Sequence, residues 1–518
     1  MCRRRAAKSC KVEVAAYFGK NGSQGIRDCL LTNFPKKAME LSILAILFCC
    51  ALAAASLWYF AKNFAKDNAS DGSTIAISKP PIGWLSLAGT FVAAQIGGSS
   101  ILYTMECAQS DGIFAILYPL GSALGLLALG LGLGARIARL QISSVPDLFE
   151  KHYASSTLRK ISCILSMASI LGLLIAQAIA LKDVFRAIGV KHDTLFIGVW
   201  IGIVFFTIQG RFKTKVWTGL LQAALLLAAL TAACFFSPES PTTSASFFGS
   251  FSGIENQLRE GINSKLSAYL LMPCLFMFLE PDMVKSSLQV RSKKEISVAV
   301  FFSGIVLLLC SLIPVYYGMA GKTLGADESS TSGFITTVGA ATNPTISIFS
   351  GCILMVALVS GASTLIWSLN THLLKDLTRK KDSKANSQFM LKFSWGWTLL
   401  LGMIALAFSY MNLGMASLIL ESYELGVVCM FVPLVQAACA RSDQDYPKLA
   451  AALSMCFGAI GFCLCKFCVI SFFPELFSIL LSWIGFILGK ALSTNTPRTL
   501  KTDAEDGQCS STEELTAI

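Results

Sequence analysis

Residues 91–100, "FVAAQIGGSS", set an amide, two adjacent glycines and two serines inside an apolar run. A second interruption falls near the middle of the apolar stretch 351–377, where Ser360, Gly361, Ser363 and Thr364 follow one another. Ser360 and Thr364 are four residues apart and share one helix face. Glycine costs roughly 1 kcal/mol relative to alanine inside a helix, so Gly97-Gly98 invites the backbone to unwind. Freed carbonyls and nearby hydroxyls are hard oxygen ligands for a cation. Two interrupted helices carrying such oxygens at mid-depth suit a cation site built from discontinuous transmembrane segments. Small and hydroxyl residues also serve plain helix contact in membranes. The pairing of two interruptions, more than either alone, therefore points to a site.

Carboxylates within apolar sequence are the other source of chemistry, because a charge in the bilayer usually faces a cavity or a partner. Glu106 follows the first interruption, Glu280 and Asp282 close an apolar run in "FLEPDMVKSS", and Glu421 and Glu424 open another in "LESYELG". A water-reached interface is the better account of Glu106 and Asp282 and an equal one for Glu421 and Glu424. Enzymatic chemistry has little to stand on. The three histidines (His152, His192 and His372) form no paired metal motif, and neither HExxH nor GxSxG occurs. Cys463, Cys465 and Cys468 spread around a helix at their spacing and read as packing residues.

The elements that must carry these groups are membrane spans. Hydrophobic residues make up 54% of the 518-residue chain and charged ones 14%, well below the quarter usual for a soluble globule. Apolar stretches of about 20 residues recur, each able to cross roughly 30 Å of hydrocarbon. Thirteen are expected, near 41–62, 84–105, 113–135, 159–181, 194–209, 216–236, 266–283, 297–320, 346–374, 391–410, 415–440, 449–471 and 474–491. The fold class is thus an all-α polytopic membrane protein, since helices satisfy their own backbone groups in lipid. Loops 237–265 and 321–345 read as solvated connectors, and 492–518 as a disordered cytoplasmic tail.

The net charge of +11 serves topology rather than nucleic acid. Alternate loops, starting with the one after the first span, hold most of the internal Lys and Arg. They are therefore cytoplasmic, with the N-terminus outside and the C-terminus inside. Residues 1–40 form a basic extension, with nine Lys or Arg against three Asp or Glu, that pulls the other way. Met39 stands directly before the first span, so residues 1–38 read as a misassigned start or a poorly ordered extension. Asn68-Ala-Ser matches a glycosylation acceptor, but this topology puts it inside.

In order along the chain, several motifs resemble those of the sodium:solute symporter family, which includes proline, pantothenate, sialic acid, choline and sugar transporters. "FVAAQIGGSSILY…DG" resembles its first core helix, and "SSVPDLFEKHYASSTLRKI" its T-x-x-D-x-L-x-x-R-Y-G loop. "LLIAQAIAL" resembles the Gln-containing helix that follows, and "QGRFKTKVWTGLLQ" the GG-x-x-x-V-x-x-T-D-x-x-Q segment. "LEPDMVKSSLQVRSKKE" is similar to GQPD-x-x-Q-R-x-x-A-A-K, and "ALVSGASTLIWSLNTHLLKDL" to A-x-M-S-T-x-x-S-x-L…D. The resemblance covers roughly residues 80–440. It implies ten core helices in two inverted five-helix repeats, 83–236 and 266–440, with a peripheral helix at 41–62 and two more at 449–491.

The resemblance also implies a sodium ion between the first and eighth core helices. By position its ligands are the carbonyls of Ala93, Ile96 and Ala357 and the hydroxyl of Ser360. The family's second hydroxyl is Gly361 here, its loop Asp is Gly219, and its Q-R pair is Lys285-Ser286. Loss of one oxygen among about five should weaken a hard-cation site, unless a water or Thr364 one turn on substitutes. Gln95, Gln177, Glu421 and Tyr423 are candidates for the solute path, with helix–helix hydrogen bonding the plainer role for Gln177. The expected function is sodium-coupled symport of a small organic solute by alternating access across a plasma or bacterial inner membrane. A solute-binding sensor derived from a transporter, or proton-coupled or uncoupled transport, are the alternatives; a channel lacks a filter motif.

Overall fold

The computed structural model describes residues 84–140, 144–187, 193–209, 267–280, 293–323, 344–377, 387–411, 413–440, 447–467 and 473–494, with Ile142, Ala228 and Thr231. All regular elements among them are helical. The expected span 41–62 and all of 216–236 but Ala228 and Thr231 lie outside the described residues, as do residues 1–40, Asn68, Gly219, Asp282, Lys285, Ser286, Cys468, the connector 237–265, residues 324–343 of the other long connector and most of the C-terminal tail; residues 321–323 and 344–345, read as connector, are helical. Each of the other eleven expected spans contains helix.

α1 (Trp84–Gln95) and α2 (Gly98–Asp111) form one broken segment. A 3-10 turn at Gly112–Ile116 leads into α3 (Leu117–Ala128), which continues through a π turn at Leu129–Leu133 into α4 (Gly134–Arg139). Short α5 (Val145–Lys151) starts where the Ser144 hydroxyl accepts the Asp147 amide at 3.2 Å, a cap that satisfies an otherwise orphaned donor. α6 (Ser156–Ala187) and α7 (Asp193–Gln209) follow.

The expected span 266–283 is not one continuous helix. A π turn at Ser267–Leu271 and α8 (Met272–Phe276) are followed by turns and then irregular backbone at Glu280. Glu280 precedes Pro281, and the residue before a proline is driven out of the helical region. The remaining helices are α9 (Lys293–Thr323), α10 (Pro344–His372), α11 (Ser387–Phe408), α12 (Met415–Cys439), α13 (Lys448–Phe467) and α14 (Pro474–Thr494). Seven helical runs among the described residues are long and apolar enough to cross a membrane.

Helix α6 occupies the centre, with Leu174, Ala176, Ala178, Ala180 and Val184 fully buried, and it packs on α10 and α12. Its small residues allow close contact, which drives helix association where lipid removes the hydrophobic incentive. α9 closes the other side against α1, α2 and α3. α13 and α14 pair at the edge, joined by the Ser454 and Ser482 hydroxyls at 3.0 Å. Their outer faces expose Phe467, Leu480, Trp483 and Ile487, an apolar surface of the kind a bilayer covers.

Candidate cation and solute site

The site begins at the break between α1 and α2. Ile96 N–H still donates to the Val92 carbonyl at 2.8 Å, but Gly97 is extended, with φ −87 and ψ 160. The ladder resumes only where Ile101 N–H reaches the Gly97 carbonyl at 3.2 Å. The Ser100 hydroxyl donates to the Gln95 carbonyl at 2.7 Å and pins the two halves together. A helix end leaves its last carbonyls without intrahelical amide partners, and Ala93 and Ile96 stand at this end. The helix breaks at the glycine pair.

The break lies against α10 because of one glycine. A Cβ built on Gly98 would come within 2.7 Å of Leu358 Cγ and 3.0 Å of the Leu358 backbone nitrogen. Only a residue without a side chain lets the first turn of α2 approach the stretch Ala357–Ser360 so closely. Within α10, the Ser363 hydroxyl turns back to the Val359 carbonyl at 2.9 Å and Thr364 to the Ser360 carbonyl at 3.0 Å. Gly361 meets a different neighbour. A Cβ there would lie 2.7 Å from Gln177 Nε2, and that amide nitrogen donates to the Ser99 hydroxyl at 2.8 Å. Gln177 thus reaches from α6 to the first turn of α2 and to Gly361, and it does not line the cavity beside Gln95.

That cavity, of ≈ 30 Å³, opens between α1–α2, α3 and α9, and its polar lining is Gln95, Ser100, Thr104, Tyr118, Ser122 and Ser311. Ile96, Ile101, Pro119, Leu307, Cys310 and Pro314 make up the rest of its wall, and the space is roomy enough for water beside the polar groups. Gln95 donates from Nε2 to Glu280 Oε2 at 2.5 Å, binding the end of α1 to the chain just beyond α8. The Tyr118 and Tyr423 hydroxyls meet at 3.1 Å. Tyr423 also stacks on Phe276 at 4.2 Å between ring centres, and Tyr103 stands edge-on to Tyr118 at 4.3 Å.

Of the four residues expected on the solute path, Gln95 lines the cavity and Tyr423 adjoins it through Tyr118. Glu421 does not line it; its carboxylate accepts from Lys466 of α13 at 2.7 Å, with both side chains substantially exposed. Glu280, Phe276, Tyr118 and Ser99 were not assigned to the site from sequence. Ser99 carried a signal there as one of the two serines of "FVAAQIGGSS", and Glu280 as an acid inside "FLEPD" where the resembling motif has glutamine.

Broken and unbroken apolar helices around a small cavity, with apolar outer faces, define a polytopic membrane protein. The family model for the sodium:solute symporter family matches residues 78–457. The chain belongs to that family. It is a transporter rather than an enzyme, and sodium is its coupling ion.

Among solved structures, the chain is similar to a substrate-bound, outward-open Na+-coupled sialic acid symporter. The TM-score is 0.71 at 12% identity, over 87% of this chain and 96% of the other. It is also similar to MhsT in complex with L-phenylalanine, with a TM-score of 0.51 at 13% identity over 78% of this chain and 97% of that one. MHP1, a nucleobase-cation-symport-1 family transporter, gives 0.50 at 12% identity over 81% and 96%. At these identities the likeness shows the fold alone. No curated protein matches the chain in sequence.

Proposed function

We propose that this protein imports a small organic solute together with Na+ by alternating access. The ion is held by the carbonyls of Ala93, Ile96 and Ala357 and by the Ser360 hydroxyl. The observation that carries this reading is the break at Ile96–Gly97 lying against α10, where Gly98 meets the Leu358 backbone. An ion bound there joins two separate helices, and a ligand that binds one arrangement better than another shifts the population toward it.

The solute is assigned to the cavity beside Gln95. Among the described residues its lining holds amide and hydroxyl groups but no basic side chain, and Glu280 brings a carboxylate to Gln95. With the rings of Tyr118, Tyr423 and Phe276 nearby, this favours a solute presenting a positive charge or several hydrogen-bond donors, and disfavours anions. The loop charges support an N-terminus outside and a C-terminus in the cytoplasm of a plasma or bacterial inner membrane. Family membership supports thirteen spans around a five-plus-five inverted repeat.

Uptake into proteoliposomes tests the reading with a panel of amines, neutral polyols and carboxylates, under imposed sodium or proton gradients. Sodium-driven accumulation of an amine or polyol is expected. Flux that ignores both gradients, or that selects carboxylates, contradicts it.

A further inference from the structure

We propose that Gln177 of α6 supplies the oxygen that Gly361 lacks, so that a third helix takes part in holding sodium. This rests on the sodium site assigned above.

A serine or threonine at position 361 would direct its side chain into space now filled by the Gln177 amide. From the position of a Cβ on Gly361, Nε2 is 2.7 Å away, Cδ 3.4 Å and Oε1 3.7 Å. The first distance is too short for any real side-chain carbon, so a side chain at 361 and this placement of Gln177 exclude one another. Gln177 is 5% exposed, and its Oε1 has no hydrogen-bond partner among the described residues. A buried carbonyl oxygen left unsatisfied is costly, whereas nearly all such groups find a partner.

The amide's other end is already bound to Ser99 in the first turn of α2, beside the break. Turning the amide over exchanges oxygen and nitrogen within one volume. Oε1 then faces Gly361 and accepts from the Ser99 hydroxyl, which donates as readily as it accepts. An amide oxygen is a neutral, hard ligand of the same kind as the missing hydroxyl. The short residue at 361 and the long residue at 177 are two halves of one substitution.

The test needs no knowledge of the solute. The purified full chain in detergent is unfolded by heat while NaCl replaces KCl at constant ionic strength, and the half-saturating sodium concentration is read from the shift. Gln177→Ala is expected to raise that concentration about tenfold, the equivalent of one weakened ligand. Gly361→Ala, whose methyl displaces the amide and offers no oxygen, is expected to do the same. Gln177→Glu keeps an oxygen and should stay within about threefold of the unsubstituted protein. The pair Gln177→Ala with Gly361→Ser should return toward it.

An unchanged or lowered half-saturating concentration in Gln177→Ala and Gly361→Ala overturns the proposal. So does a loss in Gln177→Ala that neither Gln177→Glu nor the double variant repairs, since that marks a purely structural role. A sodium response missing from the unsubstituted protein would instead overturn the sodium site itself.

Discussion

Gly98 meets the backbone of Leu358: a Cβ on the glycine would stand 3.0 Å from the Leu358 nitrogen. Gly97, its neighbour, has nothing within 4 Å of the same position and a φ of −87 that any residue adopts. Adjacent glycines therefore do different work. Gly98→Val should push α2 off α10, costing about 1–3 kcal/mol of overpacking and abolishing sodium-dependent thermal stabilisation. Gly97→Ala should change stability by no more than about 0.5 kcal/mol and retain it. Equal effects of the two substitutions on the sodium-dependent melting shift would contradict this placement of the helices.

The Gln95–Glu280 hydrogen bond lets the proposed solute site be tested apart from the proposed ion site. Glu280→Gln removes the carboxylate while keeping the shape of the side chain. It should lower solute uptake by about tenfold or more, in keeping with charge-assisted hydrogen bonds of about 1.5–3 kcal/mol, while the sodium-dependent melting shift persists. Parallel uptake and melting measurements on this variant check the division. Loss of both properties would show that the two sites are not separable.

Tyr118 in the cavity wall and Tyr423 behind it share one hydrogen bond at 3.1 Å. Tyr423→Phe keeps the ring on Phe276 but releases the Tyr118 hydroxyl. A neutral hydrogen bond contributes about 1 kcal/mol, so the KM for solute should rise about fivefold with a smaller change in kcat. Uptake kinetics at saturating sodium measure that split.

Glu421 provides the control. Its partner is Lys466, both side chains are substantially exposed, and such surface pairs contribute about 0–1 kcal/mol. Glu421→Gln should leave sodium-driven uptake and the half-saturating sodium concentration unchanged. A tenfold fall in uptake would return Glu421 to the solute path.

What was legible in the sequence was whatever interrupts an apolar run. Gly97-Gly98 and the Ser360–Thr364 cluster stand out because each sets several small or hydroxyl residues together in an apolar run, and the break falls at the glycine pair. Among the described residues the positions of the spans were equally plain, except at 266–283, where apolar content hid a segment interrupted before Pro281.

The pairings were not legible. Gln95 finds Glu280, and Gln177 finds Ser99 and Gly361, across distances in sequence that no local periodicity encodes. Gly361 by itself read as a lost ligand; only the packed helices put an amide in its place. Glu421 was indistinguishable from a buried acid until α13 supplied Lys466.

The central claim is that sodium held between the α1–α2 break and α10 drives solute uptake. Its most direct test is uptake into proteoliposomes carrying the unsubstituted chain or Ser360→Ala, with an inward sodium gradient imposed and then collapsed. The account predicts accumulation above equilibrium that requires the gradient and that Ser360→Ala reduces by about tenfold at low sodium, recovering at high sodium. Accumulation that survives collapse of the gradient, or a Ser360→Ala variant with unaltered sodium dependence, would contradict it.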